Sequence, residues 1–216
     1  MQSAQIEPTV FRTWLRIVAG VPNAVLWLLR FPEAGEANLR RTAEAWAGKE
    51  VASRLIFTDV APKGQHISRA RVCDLFLDTP ECNAHTTAAD VLWSSTPLVT
   101  LPRYTYKMCS RMAASILRGA LPKTEEGNAV AEELMCGNEA EYEEVAIQLA
   151  TSLKYHSTKD GYMSGRGKLS DMRRLLWESK WTCGLFNTRR WVRDLEDAYE
   201  EAWRRWVDGK GGDIFL

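Results

Sequence analysis

The sequence predicts an α/β fold: a parallel sheet with helices on both faces, followed by a helical C-terminal segment. Three observations carry this. Short apolar runs alternate with amphipathic stretches through the first half of the chain, at spacings of about 20 to 30 residues, which is the rhythm of strand–helix–strand units. One run, Ala24 to Phe31 (AVLWLLRF), is continuously apolar up to Arg30, as suits a strand buried on both faces. The stretch Leu75 to Pro97 then reads strand, polar loop and helix start, the junction at which parallel sheets bind ligands.

In chain order, Pro8 to Gly20 forms the first predicted helix. Pro8 fits its first turn, and Val10, Phe11, Trp14, Leu15 and Val18 make one apolar face. Val21-Pro22-Asn23 is a turn before the Ala24–Phe31 strand. Glu36 to Gly48 is the next helix, with Leu39, Ala43 and Trp46 on one side. Arg54 to Val60 is a second strand and Lys63 to Asp74 a third helix. Leu75-Phe76-Leu77 is a short buried strand, Asp78 to His85 a polar loop, and Thr86-Thr87 open a helix containing Val91, Leu92 and Trp93. Leu98 to Leu101 is a further strand, closed by Pro102. Tyr104 to Leu117 reads as a helix. Pro122 to Gly137 has weak apolar patterning and reads as a surface connection. Glu141 to Leu153 is helical, and Lys159 to Gly167 is a glycine-rich mobile loop. Leu169 to Trp181 is a helix, and Leu185-Phe186-Asn187 a turn. Thr188 to Val207 is a long amphipathic helix. Its stripe of Trp191, Leu195, Tyr199, Ala202, Trp203 and Trp206 predicts core packing against the sheet. Asp208 to Leu216 is a tail.

Composition narrows the function. Lys+Arg and Asp+Glu both number 28, so net charge gives no argument for nucleic acid or an anionic membrane as partner. The five cysteines are odd in number and lack CxxC spacing, which predicts reduced thiols in a cytoplasmic or nuclear compartment. No apolar run reaches transmembrane length, and no basic-then-apolar leader opens the chain.

The chemistry concentrates in two loops that follow successive strands: Ala61-Pro62-Lys63-Gly64-Gln65-His66 and Cys82 to Thr87. A helix start at the carboxyl end of a parallel strand offers free backbone N–H groups and partial positive charge. His85 and the hydroxyls of Thr86 and Thr87 fall at such a start. The physical reading is an anion site, most simply the diphosphate of a nucleotide. Taken singly, each residue has an ordinary role. His66 would be an exposed helix residue, Lys63 and Arg69 solvated cations, and Asp90 a first-turn acid favoured by the helix dipole. The joint pattern favours the site.

These loops and their surroundings resemble the carboxyl-terminal catalytic lobe of the O-GlcNAc transferase and SPINDLY-like family. The residues that carry the resemblance are Val21-Pro22-Asn23 with Val25 to Pro32 (VLWLLRFP), VAPK with His66 and Arg69, LDTPECNAHTT with Asp90-Val91-Leu92-Trp93, Thr96-Pro97, Ser110 to Ser115 (SRMAAS), and LFNT with Trp191. The resemblance implies the C-terminal half of a two-lobed glycosyltransferase of the GT-B type. Residues 1–121 would be a Rossmann-like nucleotide-sugar-binding lobe and 122–140 a surface connection. Helices over 141–208 would pack on the same lobe, and 209–216 would be a tail. It implies UDP-GlcNAc as donor, Ser/Thr of a protein or peptide as acceptor, inverting transfer without a metal cofactor, and an amino-terminal lobe and TPR repeats beyond these residues. It places the Ala61 backbone on the uracil, His66 stacked on the base with Arg69 fixing it, Lys63 and Asp90 at the ribose, and His85, Thr86 and Thr87 on the diphosphate. Gln2 and Gln5 join this donor-binding set. Gln5 stands where the family has a lysine, so an amide replaces a charge. Two further departures are the longer segment between Pro102 and Ser110, where Lys107 could supply a cation, and an insertion at Lys159 to Gly167. Two other readings accompany the first: a SPINDLY-like lobe using GDP-fucose, and a non-catalytic nucleotide-binding or interaction module.

Overall fold

The computed structural model describes residues 6–214. α1 (Pro8–Gly20) starts with Pro8 in its first turn and ends where Val21 returns to extended backbone. Its apolar stripe is buried as a unit: Phe11, Trp14, Leu15 and Val18 are all nearly inaccessible. β1 (Leu26–Leu29) and β2 (Leu55–Thr58) pair in parallel, with Leu26 opposite Leu55 and Leu29 opposite Thr58. The crossover between them is α2 (Ala34–Ser53). That helix runs past the predicted stop at Gly48, where φ is +84° and the axis kinks, a conformation open to glycine at no steric cost. α3 (Lys63–Ala70) leads to β3 (Phe76–Leu77). α4 (Thr86–Trp93) then leads to β4 (Leu98–Val99), which pairs with β3 in parallel.

Two strand–helix–strand units thus stand side by side, and among the described residues no ladder joins β1 to β3. A cavity of about 590 Å³ lies between them, lined by Leu26, Leu28, Leu75, Leu77, Trp14 and Ala146 among others. Among the described residues, none of the predicted site residues borders it. β1 is also less enclosed than its apolar run predicts. Leu26 and Leu28 are buried, Trp27 and Leu29 only half-buried, and Val25 is half-exposed. The run marks one buried face and one partly open face, not two buried ones.

The rest of the chain is helical. A 3-10 turn at Met108–Ser110 precedes α5 (Met112–Ala120), so the predicted helix from Tyr104 starts eight residues late. The intervening segment is held instead by side-chain bonds at Ser110, which accepts from the Tyr104 amide and donates to the Tyr104 carbonyl. Residues 122–140 are not a surface connection. They contain α6 (Glu125–Leu134), capped by the Thr124 hydroxyl on the Gly127 amide, with Ala131 and Leu134 in the core. Gly127 made this stretch look like a loop, but it is required by packing: a Cβ there would sit 2.1 Å from the Pro122 carbonyl oxygen. After α6, Thr100 and Met135 form a parallel bridge that extends the β4 edge. α7 (Glu139–Ser152) is capped by Asn138 and packs on α1. Trp14 Nε1 donates to Tyr142 Oη there, 3.2 Å away and fully enclosed.

The segment predicted to be a mobile loop is the turn and second strand of an antiparallel hairpin, β5 (Lys154–Ser157) and β6 (Met163–Arg166). Its polar, exposed residues hid the strands. α8 (Lys168–Ser179) follows. α9 (Thr188–Val207), capped by Asn187, is the last helix among the described residues. α9 buries no residue. Trp191, Tyr199, Trp203 and Trp206 are 60–78% exposed, so its aromatic stripe is not core, and that expectation is corrected. The core lies instead between α1, α4, α5, α7 and α8 and the two strand pairs, in one connected cluster.

Candidate functional site

The site is built at the carboxyl ends of β2 and β3. β2 delivers Asp59 to Lys63. Ala61 is half-buried, and Lys63 is the first, exposed residue of α3. Pro62 opens α3 with no side-chain cap, so the amides of its first turn lack intrahelical acceptors. Arg69, in the last turn of α3, reaches back. Its guanidinium donates to the Asp59 carbonyl at 2.9 Å and lies 5.5 Å from the Trp27 ring centroid. It therefore holds the β2–α3 loop in place.

β3 delivers the second loop, and a buried acid governs its path. Asp78 is fully buried at the strand end. One carboxylate oxygen accepts from the Ala84 amide and the other from the Thr100 hydroxyl, both at 2.7 Å. Burial pushes this carboxyl up to about 7, while the two hydrogen bonds oppose the shift. Asp78 so joins the far end of the loop to the β4 edge. Inside the loop, Thr79 Oγ1 donates to the Cys82 carbonyl at 2.7 Å, and the Asn83 amide side chain donates to the Thr79 carbonyl at 3.0 Å. Asn83 Oδ1 also accepts from the Ala113 amide of α5. Sequence reading placed Asp78 and Asn83 only in a polar loop. The signal that could have raised them is a carboxylate directly after an apolar strand, where a buried polar side chain must find partners.

The loop ends at His85, and it is His85, not Thr86 or Thr87, that takes the N-cap position of α4. No side chain caps this helix either. Thr86 is exposed and Thr87 half-buried in the first turn. His85 Nε2 is buried with no hydrogen-bond partner, one of three such side-chain atoms among the described residues. The uncapped amides, two hydroxyls and an unsatisfied imidazole nitrogen occupy one helix start, where an anion would complete them.

The two loops meet through their helices. His66 Nε2 of α3 lies 3.8 Å from Asp90 Oδ2 of α4, both about a quarter exposed. Behind them Ser94 Oγ donates to the Ile67 carbonyl at 2.6 Å, and Thr96 Oγ1 to the Ala70 carbonyl at 2.9 Å. Lys63, His66, His85, Thr86, Thr87 and Asp90 therefore belong to one edge of the molecule. Gln2 and Gln5 lie outside the described residues. Lys107 is not a free cation: it pairs with Glu81 at 3.0 Å. Glu81 also accepts from Tyr104 Oη at 2.8 Å and from Arg103 at 3.1 Å, and these bonds, Tyr104 first, hold its carboxyl below the usual range. Among the described residues no three His, Cys, Asp or Glu side chains cluster as metal ligands would.

Comparison with known proteins bears on this arrangement. The chain is 37% identical over 209 residues to the probable UDP-N-acetylglucosamine–peptide N-acetylglucosaminyltransferase SEC of Arabidopsis thaliana, covering 97% of this chain and 19% of that protein. It is 33% identical to the UDP-N-acetylglucosamine–peptide N-acetylglucosaminyltransferase of Caenorhabditis elegans, over 96% of this chain and 16% of that one. It thus spans less than a fifth of these relatives. Its fold is that of an O-GlcNAc transferase mutant from Thermobaculum terrenum, with TM-score 0.69 and 24% identity, over 93% of this chain and 34% of the other. The profile of glycosyl transferase family 41 matches residues 1–195, a span that holds both loops, the parallel strand pairs and the start of α9, and on that match the chain belongs to this family.

Proposed function

We propose that these residues form the UDP-sugar-binding lobe of a protein O-linked N-acetylglucosaminyltransferase, which passes GlcNAc from UDP-GlcNAc to Ser or Thr of an acceptor. The observation that carries it is the incomplete start of α4: an uncapped helix end beside the buried, unpartnered Nε2 of His85. In this reading the α4 amides, Thr86, Thr87 and His85 take the diphosphate. The β2–α3 loop takes the nucleoside, with the Ala61 backbone on uracil, His66 against the base, and Lys63 and Asp90 at the ribose. Arg69 fixes that loop through the Asp59 carbonyl.

The chemistry follows from where charge develops. Transfer breaks the bond between the sugar and the diphosphate, and negative charge grows on the leaving phosphate. Donors already pointed at that position stabilise it without reorganising. Removing one such donor typically costs about 3 kcal/mol, roughly a hundredfold in rate. The acceptor and the base that deprotonates it would be met by the other lobe, as would any TPR repeats. A lobe using GDP-fucose has less support, since the relatives named SPINDLY match at lower identity.

Calorimetric titration with UDP, and GDP alongside, tests the reading. Saturable UDP binding stronger than GDP is expected. Lys63→Ala and His66→Ala should each weaken it by about 1–3 kcal/mol, the range for hydrogen bonds to charged groups. Variants that bind UDP like the parent would refute the site assignment. No binding of either nucleotide would favour a non-catalytic module.

A further inference from the structure

The loop that ends at His85 carries a cysteine, and so does the longer segment packed against it. Cys82 lies in the loop, and Cys109 lies in the 3-10 turn at Met108–Ser110. The Asn83 amide donates to the Cys109 carbonyl at 2.7 Å, so the two backbones run one hydrogen bond apart. The Cys109 thiol contacts the Glu81 carbonyl at 3.7 Å, and the Cys82 thiol the Asn83 carbonyl at 3.9 Å. Both residues are half-buried, hence reachable by a small oxidant. The segment is clamped on the loop by Glu81, which holds Arg103, Tyr104 and Lys107 at once. The other three cysteines do not share this setting. Cys136 and Cys183 are buried, and Cys73 lies between α3 and β3, where its carbonyl takes the Arg173 guanidinium.

We propose that Cys82 and Cys109 are a redox-active dithiol that closes to a disulfide across the loop leading into α4. The two thiols lose their protons, one S–S bond forms, and two electrons pass to the oxidant. With a peroxide, its O–O bond breaks and two waters leave. With a glutathione-type disulfide, two thiols are released in exchange. Disulfides place their Cα atoms roughly 4.4–6.8 Å apart, a spacing that segments one backbone hydrogen bond apart can provide. The link encloses His85, Thr86, Thr87 and Asp90 in one covalent loop. It also removes both thiol donors from the Glu81 and Asn83 carbonyls, so the path into His85 must resettle. Burial pushes the Cys82 thiol up, and Lys107 opposes this. The bearing on nucleotide binding rests on the reading of α4 as the diphosphate site; the dithiol itself does not.

The test treats the whole chain with hydrogen peroxide or glutathione disulfide, blocks the remaining thiols, and maps peptides by mass spectrometry. The expected product joins the Cys82 and Cys109 peptides with loss of two hydrogens. It reverts with dithiothreitol and disappears in Cys82→Ser and in Cys109→Ser. Oxidised protein in which both cysteines carry separate adducts, or pair elsewhere, overturns the proposal. UDP titration forms the second arm. Affinity should fall in the linked chain, return on reduction, and ignore oxidant in Cys109→Ser. Equal affinity in linked and reduced chains overturns the coupling to the site. Absence of UDP binding in the reduced chain counts against the nucleotide reading instead, while the peptide map still decides the dithiol.

Discussion

α1 and α9 are both amphipathic helices with tryptophans on one face, yet their fates are opposite. In α1, Trp14 is 1% exposed, and its indole N–H finds Tyr142 across the core. In α9, Trp203 and Trp206 are 69% and 78% exposed, and no residue of the helix is buried. The difference is not in the stripe but in what surrounds it. α1 precedes β1 directly and lies against both α2 and α7. α9 hangs from the turn at Gly184–Phe186, whose Phe186 ring stacks edge-on against Trp93 at 5.0 Å, and extends away from there. Periodicity shows that a face exists. Chain topology decides whether anything covers it.

The largest test of that contrast is Trp14→Ala. It empties the centre of the core and removes the N–H that the Tyr142 hydroxyl accepts from, leaving that hydroxyl only its donation to the Asp78 carbonyl at 2.9 Å. A loss of about 3–5 kcal/mol is expected in chemical denaturation. A loss below about 1 kcal/mol would mean that α1 is no better packed than α9.

Next in size is the pH response of Asp78. Its carboxyl titrates near 7 in the folded chain, against about 4 for an ordinary aspartate. Between those values the folded state holds a proton that the unfolded state has released. Stability attributable to Asp78 therefore falls as pH rises through that window, and is level above it. Other carboxyls act in the opposite sense, so the informative quantity is parent minus Asp78→Asn. That difference should decline by a few kcal/mol from pH 4 to 7, measured by urea denaturation at each pH. A flat difference would show that Asp78 keeps a normal carboxylate and that the loop into His85 is held otherwise.

How far the sequence reveals these features follows from the same physics. The two strand–helix–strand units were legible because apolar runs and helical spacing alternate. The two loops were legible because a parallel sheet places successive strand ends on one edge, and His66 beside Asp90 realises this. Asp78 was missed: its place directly after an apolar strand marks a carboxylate that must find partners, but not that Thr100 and the Ala84 amide are the ones to enclose it. α6 was hidden by Gly127, a residue kept for a close approach to Pro122 and not for a turn. The hairpin of β5 and β6 was hidden because its strands are short and mostly exposed. A smaller check sits here: Thr124→Ala removes the α6 cap and should cost about 1 kcal/mol, which a surface connection would not register.

The smallest expected effect is the sharpest for the opening comparison. Trp203→Ser with Trp206→Ser removes more aromatic surface than Trp14→Ala, yet should change folding stability by no more than about 0.5 kcal/mol, since the solvent-exposed rings of α9 lose almost no contacts. Helix propensity contributes little, because Ser and Trp rank close together. Denaturation of the double variant, followed by circular dichroism, measures this directly. A loss of several kcal/mol would require that the two rings be buried when this chain folds in solution, and the aromatic stripe would then be core after all, as its spacing first suggested. A near-zero change fixes the rule drawn from the two helices: the same pattern of tryptophans contributes to stability only where the order of elements along the chain brings a second surface against it.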